Sequence, residues 1–292
     1  MLHAGIDEAG YGPTLGPLAI VRVAARCDDL AALTAALAAA GVRDSKTVHK
    51  AGNLASLERV ALPAAAWFSG FAPDTAADLF GLLGEDASLR ADIPWMAGAA
   101  QVRLPVEAPS VTAWTLPAEP AGLAGFLVQP RAYTAWLRSR RNKAALELER
   151  IGRLLAELPD EPADVVVDRL GGRKFYGDWL ATVWPGAEAT CESENISTYR
   201  TGTRAVSFCV GGESVSPLTA AASCLAKYAR ELHMLLLNRW WCAKLPWLKP
   251  TAGYPQDAAR WLHQIGDGHR GAWAEDLIRD ENAGRAAQGA SA

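Results

Sequence analysis

The chain has 292 residues, 50% of them hydrophobic and 21% charged, with a formal net charge of -3. At roughly 150 residues per domain this is room for two domains, or one with insertions, and the balanced composition excludes a disordered or supercharged chain. The mild acidity argues against an indiscriminate coat for nucleic acid, which is usually basic, without excluding a local nucleic-acid groove.

The opening, MLHAGIDEAG, has no basic n-region and carries acids where a leader would be apolar, so no signal peptide is expected. Leu2 to Ile6 reads as a short apolar strand. A turn punctuated by Gly10, Gly12, Pro13, Gly16 and Pro17 separates it from a second strand, Leu18 to Ala24, and the two should pair. Asp28 to Ala40 is rich in Ala and Leu and ends at Gly41, the pattern of a helix with a C-terminal glycine. Residues 63–130 are rich in Ala, Pro and Gly without a steady period, and nothing is assigned there. Thr134 to Leu158 predicts one long amphipathic helix or two, stopped by Pro159. Asp164 to Val167 predicts a strand ending on Asp168. Ala205 to Val210 predicts another, before Gly211, Gly212 and Glu213, and Pro217 to about Trp241 predicts a helix. Strands interleaved with helices indicate an α/β fold with a mixed sheet. The residues after Asp280 are expected to fray.

No apolar run reaches the ~18 residues of a membrane span. The five cysteines (Cys27, Cys191, Cys209, Cys224, Cys242) form no CxxC pair. That argues against a zinc ribbon or disulfide scaffold and suits a reducing, cytoplasmic setting. Trp240, Trp241 and Trp247 stand in apolar surroundings and are expected in a core or interface. The run Arg138 to Lys143 is the most basic in the chain, and a solvated helix face accounts for it more simply than a nucleic-acid guide. The histidines show no metal-ligand spacing.

Acids at strand ends carry the main chemical signal. Asp7 and Glu8 follow the first strand, Asp168 ends another, and Glu213 follows a third. Strand ends converge in an open α/β sheet, so these carboxylates can share a site. Packed together without a partner they repel and raise each other's pKa values. Divalent cations remove that conflict, and two of them about 4 Å apart would activate a water and stabilise the leaving oxygen in phosphodiester cleavage. Taken singly, each acid is more readily a helix cap or a solvated turn residue.

The surrounding residues resemble the ribonuclease HII family. Gly5-Ile6-Asp7-Glu8-Ala9-Gly10-Tyr11-Gly12-Pro13, followed by Gly16-Pro17-Leu18, is similar to that family's opening signature. Arg43-Asp44-Ser45-Lys46 resembles its Asn-Asp-Ser-Lys segment. Asn142-Lys143 and the helix after them resemble the helix before the third catalytic strand, and Val165 to Asp168 that strand. The run Gly212-Glu213-Ser214, with Pro217, Ala221-Ala222-Ser223, Ala226-Lys227 and Arg230-Glu231, is similar to the one opened by the family's fourth catalytic aspartate. Gly253-Tyr254-Pro255 resembles its C-terminal Gly-Tyr turn. The blocks keep the family's order over about half the chain, and the unmatched stretches near 65–135 and 172–203 look like insertions.

The resemblance implies an RNase H-like fold, a central mixed β-sheet flanked by helices with a C-terminal helical region. Its expected layout is a catalytic domain at 1–235 with an insertion at about 65–135, the helical region at 236–280, and a disordered tail at 281–292. It makes Asp7, Glu8, Asp168 and Glu213 the catalytic and metal-binding set, with Asp7 bridging two Mg²⁺ or Mn²⁺ ions. The implied reaction is hydrolysis of the RNA strand of RNA–DNA hybrids to 5′-phosphate and 3′-hydroxyl ends. Gly10, Tyr11, Gly12, Ser45, Lys46, Ser223, Lys227 and Tyr254 would contact the nucleic acid. No membrane and no obligate protein partner is expected.

Several positions depart from the family. Glu213 stands for aspartate, Tyr11 for the arginine of a Gly-Arg-Gly turn, and Arg43 for asparagine; Gly211 stands where lysine is frequent. Glu192, Glu194 and Glu231 are rival donors for the fourth position. A nuclease of this fold acting on another nucleic acid, or a non-catalytic nucleic-acid-binding descendant, are the competing readings.

Overall fold

The first two strands do pair. β1 (Leu2–Ala9) and β2 (Leu18–Arg26) run antiparallel from Leu2 opposite Arg26 to Ala9 opposite Ala19. β1 is longer than the apolar run predicts: Asp7 and Glu8 lie inside it, facing Val21 and Ile20, because β2 continues to offer ladder partners past Ile6. The computed structural model describes residues 1–49, 52–85, 87–140 and 142–283.

Five more strands complete the sheet: β3 (Glu119–Val128), β4 (Ala163–Asp168), β5 (Glu188–Glu192), β6 (Ile196–Thr201) and β7 (Arg204–Cys209). The seven strands take the order β3-β2-β1-β4-β7-β6-β5. β1, β4 and β7 are parallel, and the flanking pairs are antiparallel. This mixed sheet confirms the expected α/β class. It also sets the carboxyl ends of β1, β4 and β7 side by side, the edge at which open α/β sheets bind ligands.

Helices follow in chain order. α1 (Leu30–Ala39) is capped by Asp29, whose carboxylate accepts from Ala32 N at 2.9 Å. α2 (Ser45–Val48) is capped by Asp44, and α3 (Ala55–Ser69), α4 (Ala76–Leu82) and α5 (Ala87–Ala91) come next. The expected long helical stretch is two helices, α6 (Pro130–Arg140) and α7 (Lys143–Ala156), because Asn142 caps the second by accepting from Ala144 N at 2.9 Å. α8 (Gly177–Val183) and α9 (Gly212–Val215) are short, and α10 (Pro217–Lys244) is the long central helix. α11 (Pro255–Ile265), α12 (Asp267–Arg270) and α13 (Ala274–Leu277) end the described fold. No helix among the described residues is long and apolar enough to cross a membrane.

The two faces of the sheet bury separate cores. Ala19, Val21 and Val23 of β2 pack with α1, α3, α4 and α10 on one face. Ala4, Ile6, Ile20, Val165 and Phe208 pack with α6, α7 and α8 on the other. Contact with α10 is closest at Gly5, where an added Cβ would lie 2.1 Å from Thr219 N. The stretch expected as an insertion, 65–135, ends in β3, which adds directly to β2 and is part of the sheet. The unmatched residues 172–203 supply α8, β5 and β6. The expected boundary at 235/236 falls inside α10, which continues unbroken to Lys244. Trp241 is buried and Trp240 packs against the core, but Trp247 is 64% exposed, contrary to its apolar sequence surroundings. Of the expected tail, 281–292, residues from 284 on lie outside the described residues, as does Arg141 of the basic run.

Candidate active site

Successive residues of a strand point to opposite faces, and this sends Asp7 and Glu8 different ways. Asp7 turns to the α10 side, near Ser223; Glu8 turns to the α7 side, near Glu147. At the strand's end the two converge with Asp168, and one carboxylate oxygen of each of the three lies within 4.8 Å of the others. Asp168 Oδ1 accepts from Gly212 N at 2.7 Å, fastening the end of β4 to the turn that carries Glu213. Glu213 pairs with Lys46 Nζ at 3.5 Å. All four acids line one cleft of about 200 Å³, together with Gly10, Ser45, Lys46, Ser223, Lys227, Arg230 and Tyr254.

Burial, and then repulsion from neighbouring carboxylates, holds Asp7 and Glu8 well above the usual carboxylate range. Asp168 and Glu213 are also raised, chiefly by burial. Burial pulls the Lys46 ammonium down, but Glu213, Asp44, Asp7 and Asp168 together carry it above its ordinary value. Asp7 is 4% exposed; its Oδ1 accepts from Glu8 N at 2.7 Å, while its Oδ2 is buried without a partner. An orphaned buried carboxylate oxygen among mutually repelling acids is a donor set that fits a hard divalent cation.

Of the four acids weighed for the fourth position, Glu213 alone lines this cleft. Glu192 accepts from the Tyr199 hydroxyl at 2.5 Å, Glu194 pairs with Lys174, and Glu231 pairs with Lys227 at 2.7 Å and Arg230 at 3.4 Å. The Ser223 hydroxyl donates to Ser45 Oγ at 2.8 Å, pinning α2 to α10 beneath the acids. Gly10 has φ 96°, and a Cβ there would lie 2.7 Å from Pro17 O, so the turn requires glycine. Gly12 faces open space. Tyr11 and Gly12 stand outside the cleft lining. The Tyr11 ring lies under Lys143 Nζ, 4.2 Å from its centroid. Its hydroxyl is pushed up to about 12 by burial and then by Glu147, Glu8 and Glu281. Tyr254, half-exposed at the mouth, has the Arg230 guanidinium 5.6 Å from its ring.

Two residues around the site, Glu147 and Arg279, escape sequence reasoning, and a third, Arg230, is given no role by it. Glu147 is 1% exposed on α7 with both carboxylate oxygens unpartnered, and burial raises it to about 8 against the opposing pull of Lys143 and Arg279. Its only sequence signal is an acid between Leu146 and Leu148 on an apolar stripe. Arg230, singled out only as part of a matched block, is buried and donates to Leu15 O at 3.3 Å and Ala252 O at 2.9 Å. Arg279, near the end of the described chain, donates to Gly16 O at 2.7 Å and to Gly10 O. Two cations of the basic run reach the same C-terminal segment: Arg138 pairs with Glu275 and Lys143 with Glu281, each at 3.1 Å.

Comparison with known proteins gives a consistent picture. Residues 4–59, which include Asp7, Glu8, Ser45 and Lys46, match the family model Ribonuclease HII. No curated protein matches the sequence. Among solved structures, ribonuclease H2 from Pyrococcus horikoshii OT3 is similar with a TM-score of 0.52 at 17% identity, covering 99% of this chain and 98% of that one. A mutant of Bst-RNase HIII is similar with a TM-score of 0.53 at 20% identity, covering 99% of this chain and 69% of the other. At these identities the structural likeness establishes a shared fold. The chain is thus similar to ribonuclease HII over its N-terminal residues and shares the fold of ribonucleases H2 and HIII over almost its whole length.

Proposed function

We propose that the chain is a metal-dependent endonuclease, cytoplasmic, that hydrolyses the RNA strand of RNA–DNA hybrids to 5′-phosphate and 3′-hydroxyl ends. One observation carries the reading: Asp7, Glu8 and Asp168 bring carboxylate oxygens within 4.8 Å of one another at the edge of a sheet shared with ribonucleases H. Asp7, Glu8, Asp168 and Glu213 would hold Mg²⁺ or Mn²⁺, with Asp7 central because its Oδ2 is free. When bound, such ions activate water and stabilise the leaving oxygen.

The chain's own residues bind and orient. Lys46 and Lys227, both on the cleft wall, suit phosphate oxygens. The exposed Tyr254 ring suits packing against a sugar, and the Arg230 guanidinium behind it holds the Gly253–Tyr254 turn by its bond to Ala252 O. Glycine at position 12, with open space where a side chain would stand, lets a nucleic-acid backbone come close to the turn.

The position of Tyr11 favours a second reading, a nuclease of this fold with a different substrate preference. Its ring is packed under Lys143 and stands outside the cleft lining, so Tyr11 itself brings no cation to the position of the family's arginine. A substrate panel decides between them: a continuous hybrid, a DNA duplex with one ribonucleotide, double-stranded RNA and single-stranded DNA, each with Mg²⁺ or Mn²⁺ and with product ends analysed. Cutting of the hybrid to 3′-hydroxyl ends is expected; cleavage confined to DNA would overturn the ribonuclease reading.

A further inference from the structure

The segment following Asp168, residues 169–176, presents Phe175 to solvent at 64% exposure. An exposed aromatic ring ordinarily sits on a loose loop, but this one is braced from beneath. The Tyr176 ring stacks on Phe208 with centroids 3.7 Å apart and 8° between planes. The Tyr176 hydroxyl donates to Arg173 O at 3.1 Å and accepts from Leu170 N at 3.3 Å. Ser197 Oγ donates to Lys174 O at 2.6 Å.

The segment is also cationic. Arg169 and Lys174 are committed to Glu194, through its carbonyl and its carboxylate respectively. The Arg173 guanidinium donates to the Phe175 carbonyl at 3.4 Å and pairs with no carboxylate among the described residues. The loop abuts the turn after β1, since a Cβ on Gly171 would lie 3.7 Å from the Tyr11 hydroxyl. Val210 and Val215, 48% and 57% exposed, follow β7 at the same edge of the sheet. A rigid rim, apolar with one uncommitted cation, thus borders an acidic cleft.

We propose that Phe175 and Arg173 form a nucleic-acid-binding rim, Phe175 packing on a sugar or base of the duplex leaving the cleft and Arg173 meeting a neighbouring phosphate. The inference rests on the nuclease reading and extends its contact surface beyond the residues the sequence suggests. Four acids repel a phosphate backbone, and a cation on the rim draws it back. Preorganisation explains the bracing: a loop whose backbone is already fixed loses little entropy on contact.

The test is Kd by fluorescence anisotropy and KM and kcat for a labelled RNA–DNA hybrid, for wild type, Phe175→Ala, Phe175→Trp and Arg173→Ala. Phe175→Ala should raise Kd and KM about tenfold while kcat falls far less, with Phe175→Trp restoring both. Arg173→Ala should lower the slope of log K against log salt by about one. Wild-type binding and cleavage with both alanine variants unchanged would overturn the rim alone. A wild type that binds no hybrid would overturn the nuclease reading and the rim with it.

Discussion

Asp7 and Glu8 are adjacent in sequence but answer to different helices, because a strand alternates its side chains. One consequence is that Glu8 faces a second buried acid, Glu147, which contributes to holding it above the usual carboxylate range. Glu147 itself is raised from 4.5 to about 8. Between those values the native state keeps a proton that the unfolded chain has released, so stability falls as pH rises through that window. Glu147→Gln removes the loss. In metal-free buffer it should exceed wild type by roughly 1–3 kcal/mol near pH 8 and match it below about pH 4, by denaturant unfolding. Equal stability at both pH values would show that Glu147 keeps its ordinary value.

At the scale of elements, the meeting of β1 and α10 brings Asp7 over Ser223, and Gly5 allows it. A methyl group at position 5 would run into backbone atoms of Leu218 and Thr219 at 2.2 and 2.1 Å, and backbone has nowhere to go. Gly5→Ala should destabilise the protein by roughly 3 kcal/mol or more, seen as a lower denaturation midpoint; a midpoint near wild type would mean that α10 shifts freely. The strands of the sheet's centre were legible in the sequence because they are apolar and bounded by glycine, proline or acid. β5 was not: each of its five residues is exposed, so it has no buried face to leave a pattern. β3 opens on Glu119-Pro120-Ala121-Gly122, residues poor in strand propensity, and is fixed by pairing with β2. Of the candidate site, the four acids and most of the cleft wall could be read from sequence blocks. Glu147 and Arg279 could not, since a buried acid inside an apolar stripe and an arginine far along the chain become neighbours only once the helices close on the sheet.

Across the whole molecule, the C-terminal segment returns to the first turn. Ile278 bridges to Leu15, Arg279 N donates to Thr14 O at 2.9 Å, and Arg131 clamps Asp276 at 2.6 Å. The Arg279 guanidinium then holds both ends of the loop Gly10–Gly16 through their carbonyls. Arg279→Gln leaves those carbonyls without their charged donor, at a cost of roughly 1–3 kcal/mol. Amide exchange in residues 10–16 should rise while exchange in α3 stays as in wild type; unchanged exchange in the loop would detach the C-terminal segment from the site. The sheet edge, the returning segment and the acidic cleft are thus joined, and the proposed purpose of the joint is to hold together carboxylates that would otherwise separate. The most direct measurement of that purpose is hydrolysis of a labelled RNA–DNA hybrid by wild type and by Asp7→Asn, prepared identically and run with Mg²⁺, with Mn²⁺ and with chelator. Metal-dependent cutting by wild type, lost at least a hundredfold in Asp7→Asn, is the expected result. Equal cutting by the two proteins, or cutting by wild type in chelator, would contradict it.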